Sequence, residues 1–176
     1  NVTKSALALM KGVQKNGVFA TGKHFPGHGA TSTDSHYSLP TIDFTKEHID
    51  EVELFPYKKL FAEGLASVMV AHLNVPSLET RENFPSSLSY NIVTNVLQKQ
   101  LGFEGLIFTD ALNMKGASNY KKPGEIDLAA FLAGNDVLLF AENVPLALEK
   151  ICTAYQDSVI SEERLQKSVK KILNFK

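Results

Sequence analysis

The chain has 176 residues, a formal net charge of −1 and 44% apolar residues, enough for one domain with a sizeable core. That balance gives no electrostatic footing for nucleic acid or an anionic membrane surface, and no apolar run approaches the ~20 residues of a membrane-spanning helix. The single cysteine, Cys152, excludes an internal disulfide; beside Ile151 in a helical pattern it reads as a small buried hydrophobe.

The chain starts at Asn1 rather than Met, which points to a processed or excised start, and the first residues are amphipathic rather than signal-like. Ala6, Leu7, Leu9, Met10 and Val13 recur at helical spacing and predict a helix over Val2–Asn16. A first strand is expected at Gly17–Thr21 (GVFAT). The stretch that follows, Gly22–Phe44, is long, polar and rich in Gly, His, Ser, Thr and Asp, and long loops in compact domains usually carry function. Thr45 opens a helical pattern to Ala62 in which Pro56 demands a kink or two helices; His48 falls on its surface.

Further strands are expected at Ser67–Ala71, Gly105–Thr109 and Asp136–Phe140, each a continuous apolar block of the kind covered on both faces. Between and after them lie helical patterns at Tyr90–Leu101, closed by Gly102, at Ile126–Ala133, closed by Gly134, at Val144–Tyr155, and at Ser161–Phe175 with Ser161 as cap. Alternation of this kind predicts an α/β protein with four parallel strands and surrounding helices. Four such units are half of an eightfold barrel, so the chain reads as half a domain.

Three of the four strands run into polar residues: Lys23, His24 and His28, then Asp34 and His36, after the first; His72 and Asn74 after the second; Asp110 and Asn113 after the third. In a parallel sheet these ends share one edge, where α/β proteins build their sites. Asp110 directly follows a buried strand. A rigid, partly desolvated carboxylate suits a nucleophile, and it equally suits a helix N-cap. Asp34-Ser35-His36 sets a carboxylate two residues from an imidazole, which serves acid/base work or a solvated turn. Four of the five histidines cluster at these strand ends. Pro26 and Gly27 keep His24 and His28 off a regular helix, however, and no acidic ligand completes a zinc set without consuming Asp34 or Asp110; no metal or organic cofactor is expected.

Lys23-His24-Phe25-Pro26-Gly27-His28-Gly29, then Asp34-Ser35-His36, and Gly102 through Met114 around Asp110 resemble glycoside hydrolase family 3, the NagZ-type β-N-acetylhexosaminidases. Val68–His72 and Ala133–Leu139 match the remaining strands, so the resemblance covers nearly the whole chain in order. It implies the C-terminal half of a TIM-like (β/α)8 barrel, strands five to eight, with residues 1–176 as a partial catalytic domain. It implies a retaining glycosidase acting on terminal β-linked N-acetylglucosamine in muropeptide-type substrates. Asp110 would be the nucleophile, His36 the acid/base and Asp34 its partner; Lys23 and His24 would bind sugar hydroxyls, with His28 and His72 as further pocket residues.

Two departures follow from the same resemblance. The Asp and Arg that the family's N-terminal half brings to the sugar are absent, and Ala111 stands where many relatives have an acid. Partners expected are the carbohydrate, the missing barrel half and, through open sheet edges, a second copy of the chain. Phosphorolysis at the same site and a non-catalytic sugar-binding fragment are the alternatives. A bacterial cytoplasm and a periplasm fit equally.

Overall fold

A computed structural model describes residues 1–31 and 38–175. Helix α1 (Val2–Lys15) turns Met10 inward, and its Gln14 side chain spans three backbone groups, accepting from Ala66 (3.1 Å) and Ala20 (3.4 Å) and donating to Gly64 (3.0 Å). Its C-terminus is thereby fixed to the segment that enters the sheet. Three parallel strands follow in the spatial order β1 (Thr21–Phe25), β2 (Ser67–Val70), β3 (Leu106–Thr109). β2 and β3 pair in regular register from Ser67–Leu106 to Val70–Thr109. β1 joins β2 at Thr21–Ser67, Gly22–Val68 and Phe25–Val70, with a register irregularity between Gly22 and Phe25. The Lys23–His24 and Phe25–Pro26 peptide bonds are cis.

Between β1 and β2, Thr45 caps α2 (Lys46–His48) by accepting from the His48 amide. The chain continues as a wider π turn, Ile49–Glu53, closed by Leu54 N–H to Ile49 C=O (2.9 Å). Pro56 then sits in the first turn of a separate helix, α3 (Phe55–Ala62), where its missing N–H costs nothing. The two-helix reading of this segment holds. His48 is half-buried and stacks on Phe44 at 4.1 Å. After β2 come a short 3-10 turn (Ser86–Leu88) and a π-helix, Asn91–Gln100, whose Ser89 hydroxyl accepts from Ile92 N–H. Gly102 beyond it has φ +67°. Helices α4 (Lys115–Ser118), α5 (Glu125–Ala133), α6 (Val144–Gln156) and α7 (Glu162–Asn174) complete the order.

The main core lies between the sheet and α1, α3 and the π-helix. Phe25, Val68, Val70, Leu73, Ile92, Leu97 and Ile107 have no exposed surface, and fully burying each aliphatic side chain is worth roughly 1.5–3 kcal/mol. A second cluster under the strand ends joins Phe84, Leu88, Leu112, Ala117, Ile126 and Ala130. Helix α7 is tied in by the buried Asp136 carboxylate, which accepts from Ile107 N–H (3.1 Å), Lys171 Nζ (3.0 Å) and Ser168 Oγ (2.5 Å). Arg164 on the same helix donates to the Phe131 and Asn135 carbonyls. Among the described residues no helix is long and apolar enough to cross a membrane.

Three sequence expectations change. The first strand is Thr21–Phe25, not Gly17–Thr21: Val18 and Phe19 are 59% and 58% exposed, and the residues that pair with β2 are Thr21, Gly22 and Phe25. The fourth expected strand, Asp136–Phe140, contributes one bridging pair, Phe108–Val137, with Leu139 N–H bonded to Thr109 Oγ1 instead of a strand backbone. Cys152 is exposed, because α6 turns Ala147 and Ala154 inward.

Candidate active site

The ends of β1, β2 and β3 converge as their parallel pairing requires. Asp110 follows β3 directly, its amide bonded to Val70 C=O at 2.8 Å. Its Oδ1 accepts from the next amide, Ala111 N–H, at 2.8 Å. Its Oδ2 lies 3.6 Å from Nε2 of His24, with the two side chains 15% and 29% exposed respectively. The carboxylate is thus anchored through one oxygen and presents the other towards an imidazole from β1. At that distance the pair is an electrostatic neighbour rather than a hydrogen bond.

His24 also forms part of the wall of a cavity of about 750 Å³ beside β1, together with Lys23, His28, Glu51, Glu53 and Tyr57. Lys23 is exposed on β1. The His28 ring meets His24 edge-on at 5.7 Å, and its Nδ1 lies 2.6 Å from Thr31 Oγ1. The Thr31 hydroxyl donates to His28 C=O at 3.0 Å, which leaves Nδ1–H as the donor between the two side chains. Gly27, at φ +148°, is required here, since a Cβ would meet Glu53 Oε2. Burial, then the Glu53 charge, raises the pKa of the Tyr57 hydroxyl, keeping it a neutral donor.

His72 is placed differently from the other histidines. It has no exposed surface and stands behind the Asp110 segment, with Nδ1 2.7 Å from Ser87 Oγ and Nε2 2.9 Å from Ala111 C=O. Burial lowers its pKa, against smaller opposing effects from the Ala111 carbonyl and Asp110. Asp34 and His36 lie outside the described residues. The backbone on either side of them is fixed: Thr31 N–H bonds His28 C=O, while Asn74 N–H and C=O pair with Pro40 C=O (2.8 Å) and Ile42 N–H (2.9 Å).

Sequence reasoning marks Ser89 as the opening of the Tyr90–Leu101 helix, and its hydroxyl does accept from Ile92 N–H; it missed Ser86 and Ser87, which support this edge. Ser86, Ser87 and Ser89 are all fully buried. Ser86 Oγ donates to Ala71 C=O, and Ser89 Oγ donates to Glu79 Oε2. Glu79 also takes a two-pronged bond from Arg81, whose guanidinium lies 3.4 Å from the Phe84 ring centroid. A run of hydroxyls after a proline and before a helix pattern was the available signal. Among the described residues no three His, Cys, Asp or Glu side chains gather as a metal site would require.

The arrangement can present an oriented carboxylate to a substrate carbon, with the Lys23 amine and imidazole groups on one side to meet hydroxyls. Comparison with known proteins agrees in kind. The sequence profile described as "Glycosyl hydrolase family 3 N terminal domain" matches residues 1–175. A β-hexosaminidase of Nitrosospira multiformis is 38% identical over 85% of this chain and 42% of its own length. The solved family 3 β-N-acetylglucosaminidase of a Paenibacillus strain superposes with a TM-score of 0.94 at 37% identity, over 99% of this chain and 34% of that one. A β-glucoside phosphorylase, BglX, superposes at 0.92 and 26% identity, over 98% of this chain and 33% of its own. The chain therefore spans between about a third and two fifths of the length of these relatives.

Proposed function

We propose that this chain, which belongs to the glycosyl hydrolase family 3 N-terminal domain family, is the nucleophile-bearing part of a retaining glycosidase that removes terminal β-linked N-acetylglucosamine. The observation that carries the reading is Asp110: a carboxylate at the end of β3, held through Oδ1 by its own following amide, with Oδ2 turned to the β1 side chains. In the proposed reaction that oxygen attacks the anomeric carbon opposite the leaving group. The glycosidic C–O bond breaks as His36 gives its proton to the departing oxygen, leaving a glycosyl ester on Asp110. Water then attacks the same carbon, His36 takes its proton, and the Asp110 carboxylate departs, so configuration is retained. Asp34 would keep the imidazole basic. Lys23 and His24 would hold sugar hydroxyls, with muropeptide-type N-acetylglucosaminides as the substrate class.

The same reading makes residues 1–176 the second half of a (β/α)8 barrel. β1 has one paired neighbour among the described residues, and the cavity is walled by β1 with residues of α1 and α3. A preceding strand would extend the sheet from β1, so the isolated chain should turn over little. A second reading, phosphorolysis, is favoured by the likeness to BglX. A neutral imidazole base repels phosphate less than a carboxylate would.

The test is hydrolysis of an aryl β-N-acetylglucosaminide by the complete protein, beside Asp110→Ala and His36→Ala. Both should lose nearly all turnover. Azide should restore it, giving the α-glycosyl azide with the Asp110 variant and the β-azide with the His36 variant. Activity surviving Asp110→Ala would refute the assignment. Accumulation of a sugar 1-phosphate in phosphate buffer would select the second reading.

A further inference from the structure

The geometry assigns His72 a positioning role: we propose that it sets the catalytic orientation of Asp110 by holding the Ala111 carbonyl, without touching substrate itself. The inference rests on Asp110 being the nucleophile of the glycosidase proposed above.

Five bonds fix the backbone around that residue. Asp110 N–H goes to Val70 C=O and Leu112 N–H to Leu139 C=O, Ala111 N–H goes to Asp110 Oδ1, and Ala111 C=O accepts from Met114 N–H (3.0 Å) and from His72 Nε2. The first four are made by backbone and by Asp110 itself; His72 is the side chain brought from elsewhere. A carbonyl only accepts, so Nε2 carries the proton, Nδ1 is left bare, and the Ser87 hydroxyl donates to it at 2.7 Å. Ser87 is held in turn by Asn135, whose Nδ2 donates to its carbonyl at 2.8 Å and to Ala130 C=O at 2.7 Å. Asn135, Ser87 and His72 have no exposed surface, so water cannot replace any link.

The chain of bonds therefore runs from the C-terminal end of α5 through β2's end to the peptide after Asp110. Without His72 the Ala111 carbonyl keeps only the Met114 amide of its own turn, and the side-chain tie that fixes this turn to the end of β2 is lost. Ala111 N–H, which grips Asp110 Oδ1, lies in the preceding peptide, one Cα away, so a shift of the Ala111 backbone displaces that grip as well. An aliphatic residue could fill the space of His72, but it would supply no donor.

The experiment is steady-state kinetics of the complete protein with His72→Ala and His72→Gln, on 4-nitrophenyl and 2,4-dinitrophenyl β-N-acetylglucosaminides. Gln places an N–H near the position of Nε2. Active sites are counted by the burst of released phenol. We expect His72→Ala to lower kcat roughly 30- to 100-fold with KM little changed, since misplacement of about 1 Å costs on the order of 10²-fold. The loss should be equal on both substrates, with the count of active sites retained, and Gln should recover most of it. A loss confined to the 4-nitrophenyl substrate would put His72 on the acid/base path and overturn the role, as would a loss that merely tracks a reduced site count. So would Gln performing as poorly as Ala with both proteins folded. An active wild type beside an unimpaired His72→Ala overturns the positioning role alone. A wild type inactive on both substrates overturns the glycosidase reading and takes this role with it.

Discussion

Replacing Glu79 with Gln would loosen the loop between β2 and the π-helix, and the size of the effect can be worked from the carboxylate's partners. Glu79 is buried and accepts from Arg81 Nε (2.9 Å), Arg81 Nη2 (2.7 Å), the Arg81 amide (3.2 Å) and the Ser89 hydroxyl. These donors, the Arg81 side chain foremost, hold its pKa at about 2 instead of 4.5. The folded carboxyl is a stronger acid than the unfolded one. Its contribution is therefore complete above the unfolded value and is lost as pH falls towards the folded one. At ~1.4 kcal/mol per pKa unit the contribution is on the order of 3 kcal/mol. Arg81 is itself half exposed, so solvent screening reduces this to about 2 kcal/mol.

The assay is hydrogen–deuterium exchange over residues 75–89 in the complete protein, which reads local opening directly. At pH 7 the variant should open roughly thirtyfold more often than wild type. At pH 3.5 the difference in free energy should shrink by roughly two fifths, as the wild-type carboxylate begins to lose its advantage. Equal protection at pH 7, or a gap unchanged at pH 3.5, would refute the reasoning. Because Ser86 and Ser87 belong to this loop, the variant should also lose kcat.

Lys171→Met removes a cation bonded to both Gly105 C=O (2.8 Å) and the buried Asp136; with Arg164 still nearby, about 2–3 kcal/mol should be lost in denaturant unfolding. The depressed His72 pKa means that the folded protein binds fewer protons there than the unfolded chain. Stability should therefore fall as pH drops below about 6.5, the ordinary value of a histidine in an unfolded chain, and His72→Gln should flatten that limb of a melting-temperature profile. The isolated 176-residue chain, with β1's outer edge uncovered, should run as dimers or larger species by light scattering. A clean monomer would refute this.

What could be read from sequence divides along a physical line. β2 and β3 were legible because Val68, Val70 and Ile107 are packed on both sides and spell continuous apolar blocks. β1 was misplaced because its residues line a cavity: Thr21, Lys23 and His24 are in the cavity wall, so the strand reads as loop while the apolar Val18 and Phe19 lie exposed before it. Asp110 was recognisable because it terminates an apolar block. His72 was seen as a polar strand end, but its direction was not. Only the partners Ser87 and Ala111, 15 and 39 positions away, distinguish a supporting imidazole from one lining a pocket. Cys152 misled because helical periodicity gives a face only approximately, and a one-position rotation carries it to solvent.

The two fixed ends around the Asp34–His36 stretch have a consequence for how such enzymes diversify. On one side Thr31 N–H closes a turn onto His28 C=O, and on the other Pro40 and Ile42 pair with Asn74 after β2, by bonds made outside positions 32–37. A segment of another length or chemistry spliced between Thr31 and Pro40 would leave these anchor bonds, and the bonds of Asp110 to Val70 and Ala111, with both partners present.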